Sequence, residues 1–228
     1  MRKIVISIGG SVLVPNDIDL EYAKKIANFA NELHEKYQLC IVAGGGKIAR
    51  KYIEIARNFG ASEIFCDLIG IEATRLNARL LSAIIGKNAN IEPPRDFVAA
   101  LKALNFGKIV VMGGTHPGHS TDAVSALLAE YINADLLINA TDVDGIYDKD
   151  PRKYKDAILY ERLSVEQLVD MIKSQSIGAG KYKLIDILAA KIIQRSKIKT
   201  IFLNGRNIEN MRNAIQGKEF VGTIVENK

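Results

Sequence analysis

Five short stretches of this chain gather glycine and hydroxyl residues where a strand pattern gives way to a helix or a turn: GGS (9–11), GGGK (44–47), GGTHPGHST (113–121), TDVDG (141–145) and NG (204–205). Glycine leaves the backbone N–H open to close approach, and a helix N-terminus adds unsatisfied donors and a partial positive charge, so such junctions suit phosphate. One glycine loop is a weak signal, because caps and tight turns use glycine too. Several at the ends of successive strands are a stronger one, since a single phosphate cluster needs only one or two. The longest, MGGTHPGHSTDA at 112–123, has the G-x-x-x-x-G spacing of a P-loop from Gly113 to Gly118, but His119 stands where a P-loop needs lysine. His116 and His119 also have H-x-x-H spacing, on a Pro-Gly turn with no third metal ligand nearby in the sequence.

Two chemistries compete for these loops. GGGKIA at 44–49 fits G-x-G-x-x-A after a strand and at the start of a helix, as a dinucleotide-binding fold requires. A dehydrogenase then needs an acidic residue at the end of the next strand, about 20 residues on. Asp67 stands near that distance, but it opens a long helical pattern. The surplus of phosphate loops favours two phosphorylated ligands lying head to head, with a phosphoryl group passing between them. A module that binds a nucleotide or oxyanion without turnover fits the same loops.

The elements that must position these loops alternate between apolar, β-rich runs and helical periods. KIVISI (3–8) precedes a helix from near Asp19; LCIVA (39–43) leads into a helix over about 46–58, with Gly60 placed as its cap. An amphipathic helix from Asp67 to Ile85 sets Ile69, Ala73, Leu76, Leu80 and Ile84 on one face, and Gly86 closes it. A Pro-Pro break and a short helix come next, then KIVVM (108–112), a helix over 122–133 and DLLINA (135–140). The tail holds a capping box at Ser164 and Gln167, a helix over about 183–196, KTIFL (199–203), and a last helix and strand. Strands buried on both faces and joined by helices predict an α/β fold with a mainly parallel, doubly wound sheet. All five loops then meet at the edge outside the carboxyl ends of the strands, where open α/β sheets bind ligands.

The totals agree with one globular domain over 1–228: 228 residues, 48% of them hydrophobic, are enough for a large core. A net charge of +5 from interspersed lysines and arginines reads as a solvated surface and not as a nucleic-acid footprint. Cys40 and Cys66 stand apart in apolar segments without C-x-x-C or zinc spacing, and are expected as reduced core residues. The N-terminal run MRKIVISIGGSVLV is too short to span a bilayer, is broken by Gly9, Gly10 and Ser11, and has no small-x-small cleavage site. It reads as a buried first strand, with no membrane partner and a cytoplasmic location.

The motifs IGGS (8–11), GGGKIAR (44–50), D-x-x-G-I-x-A-T-x-x-N from Asp67 to Asn77, MGGTHPGHSTDA (112–123) and TDVDGIYDKDP (141–151) together resemble the uridylate (UMP) kinases of archaeal type, within the amino acid kinase superfamily, over essentially the whole chain. The second and fourth separate UMP kinases from relatives acting on acetylglutamate, aspartate or isopentenyl phosphate. The resemblance implies a three-layer α/β/α sandwich, a homohexamer, and transfer of the ATP γ-phosphoryl group to UMP with Mg²⁺, in pyrimidine nucleotide synthesis. By the same likeness the N-terminal part binds mainly UMP and the C-terminal part mainly ATP. Gly9, Gly10 and Ser11 match the loop over the ATP phosphates; Gly45 and Gly46 lie between the two nucleotides; Arg50 matches a guanidinium near the transferring group. Asp67 matches the carboxylate on the UMP ribose, and Thr115, His116, Pro117, Gly118, His119, Ser120 and Thr121 the loop that encloses UMP. Thr141, Asp142, Tyr147 and Asp150 match the wall that holds adenine and ribose.

Two departures bear on this likeness. Where much of the superfamily has a lysine two residues before the first glycine, this chain has Ser7, leaving Lys47 and Lys183 as candidates to supply the charge. Asp142 stands where many archaeal members have asparagine, which keeps an acceptor and loses donors. Asp122, behind Thr121, has two readings: a plain helix cap, or an organiser that holds Lys183 or another donor, or water on Mg²⁺, in the transfer geometry. Plainer readings also stand for Asp148 and Asp150 as turn caps before Pro151, for Tyr147 as core, and for Arg50 as a solvated helix residue.

Overall fold

The computed structural model describes residues 1–175 and 185–227. The elements run β1 (Arg2–Ile8), α1 (Gly10–Leu13), α2 (Leu20–His34), β2 (Tyr37–Ala43), α3 (Gly46–Asn58), α4 (Glu63–Ile85), α5 (Phe97–Asn105), β3 (Val110–Met112), α6 (Thr121–Tyr131), β4 (Leu136–Thr141), β5 (Arg162–Ser164), α7 (Val165–Gln175), α8 (Ile187–Ser196), β6 (Thr200–Asn204), α9 (Ile208–Gln216) and β7 (Thr223–Glu226). They build a seven-stranded sheet in the order β3-β2-β1-β4-β6-β7-β5. Every neighbouring pair is parallel except β6 with β7.

Alternate residues of the central strands feed two cores. Ile4, Ile6 and Ile8 pack with Phe29 of α2, Leu81 of α4 and Met211 of α9. On the other face Val5, Cys40 and Val42 pack with Leu104 of α5, Leu128 of α6, Leu168 of α7 and Ile192 of α8. This is the expected α/β/α sandwich, in which both faces of the sheet are covered and the strands read as near-continuous apolar runs. The chain builds outward from β1 to β2 and β3, then crosses back to β4 and β6, so the switch point lies between β1 and β4.

The helix starts differ from expectation where a cap sits upstream. Ser62 accepts a hydrogen bond from the Phe65 amide and starts α4 at Glu63, so Asp67 lies in its second turn instead of opening it. Ser120 does the same for α6, and Asp186, accepting from the Leu188 and Ala189 amides, starts α8 at Ile187. Positions 183–184 of the expected 183–196 helix lie outside the described residues. The capping box is formed: the Ser164 amide donates to Gln167 Oε1 at 2.7 Å and the Gln167 amide to Ser164 Oγ at 3.2 Å. The short β5 and α1 carry too few residues to show a period, and the antiparallel return of β7 leaves the sheet mainly parallel, as expected.

The face expected to define α4 does not face the core. Ile71, Thr74, Ala78, Leu81 and Ile85 are buried, whereas Leu76 is 67% exposed and Leu80 is 37% exposed. Ile69, Ala73, Leu76 and Leu80 instead line an open apolar groove of about 730 Å³ with Ile48 and Tyr52 of α3. The helix is apolar on two sides, and a periodicity alone does not say which one meets the sheet.

Candidate active site

The carboxyl ends of β1, β2, β3, β4 and β6 share one sheet edge, and the loops there pack backbone against backbone. A Cβ on Gly10 would stand 2.1 Å from the Gly46 nitrogen, and Gly46 itself has φ +66°, so neither position admits a side chain. These loops and the start of α3 open on a cleft of about 390 Å³, closed on the far side by α4 and the 113–121 loop. The cleft brings together Gly10, Gly45, Gly46, Arg50, Asp67, His116, His119, Ser120 and Thr121 from the expected set. Arg50 lies one turn inside α3, exposed to the cleft, and forms no ion pair among the described residues. Asp67 Oδ2 accepts from the Gly118 amide at 2.8 Å, which ties α4 to the turn of the loop. Two atoms of this loop, Thr115 Oγ1 and His119 Nδ1, are buried without a hydrogen-bond partner among the described residues, as polar groups awaiting a ligand would be.

Other expected residues sit elsewhere. Lys47 does not line the cleft: its Nζ donates to Asn16 Oδ1 at 2.9 Å, in the loop after α1. Lys183 lies outside the described residues. Gly9 anchors the first loop by donating to the Ala140 carbonyl at 2.9 Å, and Ser11 rides on α1. Pro117 lies on the turn whose next residue, Gly118, has φ +80°.

Asp122 is not the cap of α6, because Ser120 is. Its Oδ1 accepts from Ser7 Oγ at 3.1 Å and from Asn139 Nδ2 at 3.0 Å, so it bridges β1 and β4 at the switch point. Burial pushes its carboxyl up to about 6, with the Asp186 charge adding to the rise and the two hydrogen bonds opposing it. Ser120 Oγ in turn donates to Asp186 Oδ2, joining the N-termini of α6 and α8. No lysine pairs with Asp122 among the described residues. Ser7, at the position where the lysine is missing, has become its hydrogen-bond donor.

Beyond β4 the expected ATP-side residues form one chain of contacts. Thr141 Oγ1 donates to Asp142 Oδ1 at 3.2 Å, and Arg152 reaches both Asp142 at 3.1 Å and Asp150 at 3.0 Å. Burial pulls the Asp150 carboxyl up, but the Arg152 side chain and amide outweigh it and hold it below the usual range. Burial and the neighbouring Asp144 raise the Tyr147 hydroxyl, and this ring is half-buried, not core. Asp148 does not cap the turn before Pro151: its Oδ1 accepts from the Ile158 amide at 2.8 Å, ten residues on, beside the antiparallel bridge of Tyr147 with Leu159.

Sequence reasoning gave no individual role to Thr74, Asn77 or Asn139. Asn139 sits inside DLLINA, where one polar residue in an otherwise apolar strand was the available signal. Thr74 and Asn77 are polar residues three apart on a helix face that turned out to be the buried one.

A family model described as the amino acid kinase family matches residues 2–204. Named uridylate kinases align over nearly the full chain: that of Methanocaldococcus jannaschii is 49% identical over 228 residues, covering 98% of this chain and 99% of the relative. That of Archaeoglobus fulgidus is 50% identical over 224 residues, covering 98% and 99%. The crystal structure of the Archaeoglobus fulgidus uridylate kinase superimposes with a TM-score of 0.88 at 48% identity, over 99% of this chain and 100% of that one. The structure of the Ureaplasma parvum UMP kinase does so with a TM-score of 0.82 at 25% identity, over 99% of each. With a central sheet wound about one switch point, glycine loops along its carboxyl edge and relatives of this closeness, the chain belongs to the amino acid kinase family, among the archaeal uridylate kinases.

Proposed function

We propose that this protein transfers the γ-phosphoryl group of ATP to UMP, giving UDP and ADP, as a step of pyrimidine nucleotide synthesis. The observation that carries the reading is the cleft in which the 44–46 loop, Arg50 and the 113–121 loop face one another. UMP lies under the 113–121 loop, its ribose hydroxyls donating to Asp67, whose Oδ2 is held by the Gly118 amide. The unpartnered Thr115 Oγ1 and His119 Nδ1 are groups the nucleotide can satisfy directly or through water. ATP lies across the β1 and β4 ends, with Gly9, Gly10, Ser11 and Gly46 at its phosphates and Thr141, Asp142, Tyr147 and Asp150 along its adenosine. The N-terminal part of the chain thus serves mainly UMP and the C-terminal part mainly ATP.

Phosphoryl transfer asks a protein mostly for alignment and charge stabilisation. The amides at the start of α3 and the Arg50 guanidinium supply positive character where negative charge spreads over the transferring oxygens. Asp122, an anion near polyphosphate, does not touch it; it organises the switch point through Ser7 and Asn139. Among the described residues no group of three or more His, Cys, Asp or Glu side chains is placed to hold a metal ion. The reading has ATP carry Mg²⁺ on its phosphates, and the hard oxygen donors of Asp122 and Asp186 suit the water shell of that ion. When bound, it neutralises charge on the phosphoryl oxygens.

The chain assembles as a homohexamer in the cytoplasm on this reading. The apolar groove between α3 and α4, with Tyr52, Phe65 and Leu76 each more than half exposed, is a face that a second copy would cover. No helix among the described residues is long and apolar enough to cross a membrane. A coupled assay for ADP release with ATP, Mg²⁺ and UMP tests the reading against a non-catalytic binding module: the kinase releases ADP only when UMP is present, and a binder shows affinity without turnover.

A further inference from the structure

One turn of α4 touches both loops that line the cleft. Thr74 is buried; its Oγ1 accepts from the Gly114 amide at 2.7 Å and donates to the Ile71 carbonyl at 2.6 Å. Asn77, also buried, donates from Nδ2 to the Gly44 carbonyl at 2.8 Å and to the Gly45 carbonyl at 3.3 Å. Between them Arg75 donates to the Gly114 and Thr115 carbonyls at 3.2 Å and 3.4 Å. The approach is tight, since a Cβ on Gly113 would stand 2.5 Å from Thr74 Oγ1. Through these bonds the three side chains hold loop backbone.

We infer that Thr74 and Asn77 are positioning residues that fix the 113–121 loop against the 44–46 loop, so that a rigid helix sets the gap between the two nucleotides. The inference rests on the two-nucleotide reading of the cleft. A buried amide or carbonyl must find a partner, and at Gly114 and Gly44 that partner comes from the same helical turn. The turn is held in place because Ala78 and Leu81, next along α4, are packed in the core under the sheet. Loops alone would leave the gap soft. A misplacement of about 1 Å at a transfer site costs on the order of 10²-fold in rate.

The test compares Thr74→Val, which keeps the shape and removes the hydroxyl, with Thr74→Ser, which keeps the hydroxyl. Steady-state kinetics with UMP and ATP are paired with amide hydrogen exchange of the nucleotide-free full chain. Thr74→Val is expected to speed exchange in 113–121 and to lower kcat at saturating substrates by roughly tenfold or more, with Thr74→Ser staying within about threefold of the parent because the hydrogen bond survives. Asn77→Ala is the second probe, expected to loosen 44–46 and lower kcat in the same way, should Thr74→Val fold poorly. Parent-like exchange in the affected loop, or turnover within about twofold despite a lowered Tm, overturns the inference, since a purely structural role changes stability and leaves the rate of the folded enzyme alone. A parent that does not phosphorylate UMP at all fails the functional reading instead, and the exchange comparison still decides whether the clamp exists.

Discussion

Replacing Asp122 by asparagine keeps its shape and removes its charge, and the buried setting of the carboxyl fixes the size of the effect on stability. Raising a carboxyl from 3.8 to about 6 means that ionising it in the folded state costs about 3 kcal/mol more than in the unfolded chain. The folded value lies above the unfolded one, so the parent's stability from this group is complete below 3.8 and is lost as pH rises through 6. By linkage roughly half the loss is present at pH 5 and the rest by pH 8, a change of about 1.4 kcal/mol across that window. The asparagine variant would carry no such loss, although it forgoes the attraction of a carboxylate to the N-terminus of α6, worth about 0.3–1 kcal/mol. Thermal unfolding of the nucleotide-free chain should therefore show Asp122→Asn gaining on the parent by about 3–6 °C between pH 5 and pH 8. In the same variant kcat should fall by roughly 10²-fold or more, the order expected when a preorganised electrostatic group is lost. A Tm difference that does not change with pH would refute the burial argument. Turnover within about twofold of the parent would remove Asp122 from the catalytic set.

Arg50→Ala should lower kcat much more than it raises the KM for UMP, because a guanidinium beside the transferring group acts on charge that spreads in the transition state; a change confined to KM would make it a substrate clamp. If the proposed hexamer uses the α3–α4 groove, Leu76→Glu, on the exposed face of α4, should give a smaller, still folded particle than the parent in sedimentation; an unchanged particle size would overturn that interface.

The sheet was legible because its strands are buried on both sides and read as short apolar runs such as KIVISI and LCIVA, separated by glycine loops. The glycine loops were legible as well: Gly10 and Gly46 must approach within the space of a side chain, and only glycine permits it. What the sequence hid were relations between distant residues. Periodicity found the exposed stripe of α4 and missed the buried one, because both sides of that helix are apolar and only the sheet decides between them. Asp122 had two readings, a helix cap or an organiser of a lysine, and neither named the hydrogen bonds that define it, which come from Ser7 and Asn139, 115 and 17 residues away. Lys47 was a candidate for the charge absent at Ser7, and its bond to Asn16 and its absence from the cleft lining could not be read from the sequence.

Phosphorylation of UMP is tested most directly by a panel of nucleoside monophosphates, UMP, CMP, AMP and GMP, each offered with ATP and Mg²⁺, with the products separated and identified. A site that hydrogen-bonds one base leaves its own buried groups unpaired with another, so UDP should form at rates well over about 10²-fold above the other diphosphates. Comparable rates with AMP, or no diphosphate from UMP, would contradict the proposed activity.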